Sequence, residues 1–491
     1  MTLNALETLR LLAPELILTV TGLGVLIVDL AMRRRDEGRT AGTIALVGLA
    51  AALVATIALI LGQTDVIVAS TMVIDPYALF FKAAAIIGVG LVIMASIGFM
   101  KGRSQYLGEF YALLVFATLA ISVAVSATNF ILIYLGIEFL SITSYVLAGF
   151  LRNDKRSEEA AMKYFLYGAT SGAVLLYGIS LLYGATGTTD LAAIGQLFQP
   201  TSGNMVLGVS AIVLLLAGFG FKASLVPFHQ WAPDTYDGAP TPVTAFLATA
   251  SKAAGFAVAG RVFLTALPGF QVQWVAILTV ISMLTMTLGN LVALKQTSVK
   301  RMLAYSSIAQ AGYILMGLAA IGPTKPFDGV SALLIYIFAY VFTNIGAFLV
   351  IMAVERQTGG SADFKDFAGL ARRAPVLALL MSIFMLSLAG IPPTGGFIGK
   401  FFVLGSAVSQ GMLALAAVGA VNAVIAGFYY LNVVRYMFFV DSDEGKEVRI
   451  HAGLKATLII SAVMVLVVGI VAQPVIMWAM NSTGMTIALG F

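Results

Sequence analysis

Along this chain apolar residues come in long blocks separated by short polar stretches, without the every-second-residue alternation of membrane strands. A helix needs about 20 apolar residues to cross the hydrocarbon core of a bilayer. Fourteen segments meet that length, at 11–32, 41–62, 75–99, 109–127, 129–151, 159–183, 204–230, 242–267, 272–294, 298–321, 328–355, 374–410, 412–440 and 454–481. An open sheet is excluded because lipid cannot satisfy its backbone groups. The pattern predicts an all-α polytopic membrane protein, a single membrane domain over residues 1–491 with no loop long enough for a folded extramembrane domain. Residues 1–30 do not read as a cleaved signal, since the apolar run is too long and no small-residue cleavage site closes it.

Composition strengthens this reading. Of 491 residues, 60% are hydrophobic and 10% charged, against roughly 45–50% and 25% in soluble domains. The absence of cysteine, with only His229 and His451, excludes iron–sulfur, c-type haem and structural zinc sites. The polypeptide itself therefore holds no such redox centre.

The loops alternate in charge. Odd-numbered loops carry 18 of the 28 basic residues, from Arg33, Arg34, Arg35 and Arg39 to Lys446 and Arg449, whereas the other face has Arg10 and Lys325. By the positive-inside rule the basic face is cytoplasmic and both termini lie outside. The odd loop from His229 to Thr241 has no Lys or Arg and must have been shaped by something other than topology.

Eight basic residues remain within or at the ends of segments. Lys82, Arg435 and Lys455 sit near helix ends, where a long side chain snorkels to water, and Lys163 takes the same reading. Arg261 is left open. Asp29 beside Arg33 reads as a surface pair, and Lys300 and Arg301 as surface residues. Glu138, Lys222, Lys252 and Lys400 are different, because each lies deep in its segment and costs several kcal/mol in hydrocarbon unless paired or hydrated. A static ion pair between Glu138 and one lysine is one account. One acid cannot neutralise three lysines, however, and a desolvated lysine can take up and release a proton.

Helix breaks fall at the same places. Pro227 must disturb the helix at Ala223, beside Lys222, and Pro392-Pro393 followed by Gly395-Gly396 must interrupt segment twelve before Lys400. Twin interruptions in corresponding places of two halves point to an ion site in a transporter with inverted repeats. Two motif matches fail: Gly218-x-Gly220-x-x-Ala223 has no strand before it, and Gly395 to Lys400 is too short for a phosphate loop. His229, seven residues after Lys222, is a candidate proton relay or a histidine bonded within its own loop. His451 reads as solvated, and Asn344 and Tyr305-Ser306-Ser307 as links between helices.

The run from Lys222 through His229, Asp234 and Asp237 to Lys252, with Glu138 in segment five and GIPPTGGFIGK ending at Lys400, closely resembles the antiporter-like subunits of respiratory complex I. The resemblance covers the whole chain. It implies two inverted five-helix repeats, helices 4–8 (109–267) and 9–13 (272–440), with helices seven and twelve broken. It also implies proton translocation through Glu138, Lys222, Lys252 and Lys400, within a translocase that couples NADH oxidation to quinone reduction. Flavin, iron–sulfur clusters, NADH and quinone then belong to partner subunits, this chain binding no cofactor and no metal. The implied partners are M-type and K-type membrane neighbours, the lipid bilayer and protons, with no nucleic acid. The alternatives are an Mrp-type secondary cation/proton antiporter subunit and a passive scaffold. Flavin and iron–sulfur absorbance on co-purification would separate the first two.

Overall fold

The computed structural model describes residues 4–32, 38–68, 70–201, 203–322, 327–360, 362–441, 448 and 450–485. Arg33, Arg34, Arg35, Lys325, Lys446 and Arg449, used above to orient the chain, lie outside them. Each of the fourteen predicted segments contains helix, and among the described residues 13 helices are long and apolar enough to cross a membrane. The segment 374–410 is instead divided into Pro375–Ala389 and Gly395–Ser409. The last segment is shorter than predicted. Its crossing ends at Ile470, and Gln473–Asn481 begins anew with Pro474 in its first turn, where a missing N–H costs nothing. A two-stranded antiparallel hairpin, Val66–Val68 with Met72–Ile74, fills the loop between the second and third crossings.

The helices sort by what surrounds them. Thr241–Thr265, Val299–Ala319 and Gly329–Thr358 are enclosed by other helices almost throughout, whereas Arg39–Leu61 and Leu413–Phe439 show most of their surface. The enclosed three carry Lys252, Ser306, Ser307, Gln310, Tyr336 and Asn344, so the polar groups of the membrane interior lie at the centre of the bundle. A polar side chain there has no water to turn to and must find a partner in a neighbouring helix.

Several end-of-helix charges differ from expectation. Lys455 and Arg435 are exposed and free to snorkel, but Lys82 is buried and sits 2.6 Å from Glu15, which also accepts from Ser122 at 2.6 Å. Glu15 is sixty-seven residues away in sequence, so no local pattern announced the pair. Asp29 is buried against Gly108 instead of lying on the surface. Arg261, left open above, is fully buried and grips Asp75 through both guanidinium nitrogens at 2.9 Å, with a third bond to the Val125 carbonyl at 3.1 Å. Asp75 also caps the helix Pro76–Met100. This fork ties three crossings together near one end of the bundle. His451 is exposed but faces the Arg356 guanidinium. Partial burial, then the positive charges of Arg356 and Lys101, hold its imidazole below the usual range.

Candidate functional site: a line of buried lysines

Helix Met205–Ala223 ends where Ser224 turns left-handed (φ 58°), and the chain resumes as helix Trp231–Gly238. The predicted break beside Lys222 is thus present. The stretch read as a loop from His229 to Thr241 is mostly helix. Asp234 on this short helix draws in Lys163 and Arg301 from other helices at 2.7 Å each. Lys163 and Arg301 are therefore anchored, not loose in solvent. Trp231 stacks on Tyr164 at 4.3 Å and donates to the Phe221 carbonyl at 3.0 Å, fixing the second half against the end of the first.

Lys222 is buried in the last turn before the break and donates to Ser141 Oγ at 3.2 Å. Ser141 lies one turn beyond Glu138 on helix Phe130–Ala148. Glu138 and Lys222 act on each other through space but form no ion pair within 4.0 Å, so the expected pair is not a contact pair. Glu138 is half-buried, and Gly172 makes room for it: a Cβ there would lie 2.5 Å from Oε1. His229 lies in the break, half-buried, and no hydrogen bond joins it to Lys222 among the described residues.

Lys252 follows a π-helical turn, Leu247–Ser251, that nothing in its composition signals. It donates to the Ser307 carbonyl at 2.8 Å and to Ser307 Oγ at 3.1 Å. Gly255, one turn on, lets this helix pack against the stem of Lys222, with its position for a Cβ 3.2 Å from Lys222 Cβ. Lys400 lies on the second half of the broken segment and reaches back to the first, donating to the carbonyls of Leu388 at 2.8 Å and Ala389 at 3.0 Å. Those carbonyls end helix Pro375–Ala389, where the helix dipole favours a cation. The Tyr313 ring lies 4.8 Å from its ammonium.

Between Lys252 and Lys400 lies a row of polar groups that was not anticipated as such, hydrogen-bonded from Ser306 to Lys400 and adjoining Lys252 through the neighbouring Ser307. Ser306 and Tyr430 share a hydrogen bond of 2.5 Å, and Gln310 donates to Tyr430 at 2.9 Å and to the Leu388 carbonyl at 2.9 Å. Ser307 thus holds Lys252 instead of simply linking helices, while Ser306 does link two. Asn344 bonds Tyr340 on its own helix at 2.9 Å.

At the face bearing the basic loops is a polar cavity of about 350 Å³, lined by Arg156, Asp234, Lys300, Arg301 and Glu355 among others. Lys300 is not a surface residue. It is buried, 3.1 Å from Glu355, and also donates to the Ala239 carbonyl, while Thr241 donates to Glu355.

The buried cations therefore fall into two sets. Lys82, Lys300 and Arg261 each have a carboxylate partner. Lys222, Lys252 and Lys400 are held by hydroxyl and carbonyl oxygens, with no carboxylate within 4.0 Å among the described residues. An ammonium held only by neutral oxygens can give up its proton without stranding a partner anion.

This is the architecture of a polytopic helical transporter, with buried titratable groups beside interrupted helices. The family model described as NADH:quinone oxidoreductase/Mrp antiporter, transmembrane, matches residues 127–426, and the chain belongs to that family. It is 43% identical to the NADH-quinone oxidoreductase subunit N of Heliobacterium modesticaldum, over 94% of this chain and 96% of that one. The F(420)H(2) dehydrogenase subunit N of Methanosarcina mazei is 40% identical over 97% of this chain and 99% of its own length. Among solved structures, a chain of respiratory complex I from Thermus thermophilus superimposes with a TM-score of 0.79 at 32% identity, covering 94% of this chain and 98% of that one. A chain of the Mrp complex from Dietzia sp. DQ12-45-1b gives 0.85 at 21% identity, covering 98% and 97%, a likeness of fold.

Proposed function

We propose that this chain is the N-type proton-translocating membrane subunit of an NADH:quinone oxidoreductase. It moves protons through Glu138, Lys222, Lys252 and Lys400 while NADH, flavin, iron–sulfur clusters and quinone are handled by partner subunits. Of fourteen crossings, ten form two inverted five-helix repeats, helices 4–8 (residues 109–267) and helices 9–13 (residues 272–440). Both termini lie on the periplasmic side of a bacterial inner membrane, and M-type and K-type subunits are the membrane neighbours. His229 is a secondary relay candidate.

The observation that carries this reading is the set of three enclosed lysines that have no carboxylate partner among the described residues, strung between the two helix breaks. A scaffold would gain nothing from leaving them unpaired, since lone buried charges are destabilising. Identities near 40% along the whole chain to proteins named subunit N support the first reading over the Mrp-type alternative, whose structural likeness is one of fold. The test is Lys252→Met in the purified, reconstituted assembly. We expect wild-type flavin and iron–sulfur absorbance and subunit content, with loss of most NADH-driven proton pumping. An assembled variant that pumps at the wild-type proton-to-electron ratio would remove Lys252 from the path.

A further inference from the structure

We propose that Gln310 is the insulating link of the polar chain between Lys252 and Lys400, a positioning residue that blocks proton passage while Lys400 rests on the Leu388 carbonyl. The inference rests on the reading that protons travel through those lysines.

The groups on the Lys252 side are hydroxyls. Lys252 meets Ser307 Oγ at 3.1 Å, and the adjacent Ser306 meets Tyr430 at 2.5 Å. A hydroxyl donates and accepts at one oxygen, so a proton that arrives on a lone pair can leave through the O–H bond. Toward Lys400 the path from Tyr430 runs through Gln310, whose nitrogen lies 2.9 Å from Tyr430 Oη and 2.9 Å from the Leu388 carbonyl. Lys400 donates to the same carbonyl at 2.8 Å.

A carboxamide separates its donor from its acceptor and takes up no proton at neutral pH. Its orientation here is set by chemistry. The Leu388 carbonyl only accepts, so the NH2 group must face it, and the amide oxygen then accepts from Tyr336. With both N–H bonds and the oxygen engaged, and the residue 1% exposed, the amide has no second satisfied orientation. Because Gln310 donates onto Tyr430 Oη, the Tyr430 hydroxyl hydrogen cannot point at that nitrogen, whichever of Ser306 and Tyr430 donates in their own bond. The link therefore offers Lys400 neither a proton nor a place to put one.

The experiment uses the reconstituted assembly in liposomes. A proton gradient is imposed without NADH, with valinomycin and potassium clamping the potential, and its collapse is followed with a trapped pH dye. NADH-driven pumping is then measured. Gln310→Glu, of the same shape but titratable, should collapse the gradient severalfold faster than wild type and lower the proton-to-electron ratio while NADH oxidation continues. Gln310→Met, which cannot relay, should remain as tight as wild type. A Glu variant as tight as wild type, or a Met variant as leaky as the Glu variant, would overturn the proposal, the second because the leak would then come from damaged packing. Should the Glu variant not assemble, Gln310→His takes its place with the same two readings. Lys400→Ala separates this from the underlying reading. Normal pumping by assembled Lys400→Ala removes the proton path itself, whereas impaired pumping there with a tight Glu variant removes only the role of Gln310.

Discussion

At the scale of single residues, the chain distinguishes charges that hold it together from charges left able to change. Arg261 belongs to the first kind. Its bidentate grip on Asp75, fully enclosed, needs a planar fork that an ammonium cannot supply. Arg261→Lys keeps the charge but loses one bond and the carbonyl contact. We expect a lower melting temperature for the purified assembly, with the proton-to-electron ratio of the surviving fraction unchanged. Removing the charge altogether, with Asp75 left buried, should cost about 3–5 kcal/mol. Glu138 belongs to the second kind, being half-buried with no ion-pair contact to Lys222. Glu138→Gln should therefore assemble and melt like wild type yet lose most coupled turnover. A normal proton-to-electron ratio in that variant would exclude Glu138 from the path. The depth of Glu138, Lys222, Lys252 and Lys400 was legible because a charge inside an apolar run is conspicuous. Their partners were not, because Ser141, Ser307 and the Leu388 carbonyl are small neutral acceptors brought together only by helix packing. The pairs Glu15–Lys82 and Lys300–Glu355 escaped for the same reason, each partner lying in a distant helix.

At the scale of elements, the breaks position the lysines. Proline and glycine signatures placed both interruptions correctly, since those residues act locally on the backbone. The two sites differ: Lys222 precedes its break and Lys400 follows its own, as the signatures placed them, but that Lys400 reaches back across the break no signature showed. Gly390 makes that reach fit. It closes the first half-helix with φ 86°, and a Cβ there would lie 2.7 Å from Lys400 Cδ. Gly390→Ala should cost about 1–2 kcal/mol of backbone strain and displace the Lys400 stem, so pumping should fall more than thermal stability does. Gly427→Ala is the control: its helix position is open, and a normal helix former there should be neutral or mildly stabilising. Equal pumping by the two variants would mean that Lys400 need not rest on the end of that half-helix. The π-helical turn before Lys252 was invisible beforehand because Leu247-Ala248-Thr249-Ala250-Ser251 reads as ordinary helix. It is imposed by packing, not by composition.

At the scale of the whole molecule, a bundle of crossings encloses three helices and places its titratable groups along their shared interior. The crossing pattern was readable because lipid requires long apolar runs with internal backbone pairing. The order in which helices surround one another was not, since apolar helices carry little record of which neighbour each face meets. The central claim is that Lys222 changes protonation during turnover and does not merely balance Glu138. Lys222→Arg tests it most directly. Arginine stays protonated far above neutral pH and so supplies a counter-ion but no exchangeable proton. Gly255 lies close against the Lys222 stem, so assembly and subunit content are verified first. The decisive quantity is then the proton-to-electron ratio of the reconstituted assembly with NADH and quinone. A relay at Lys222 predicts that the Arg variant loses most pumping, as Lys222→Ala does. Full pumping by the Arg variant, with failure of the Ala variant, would contradict it.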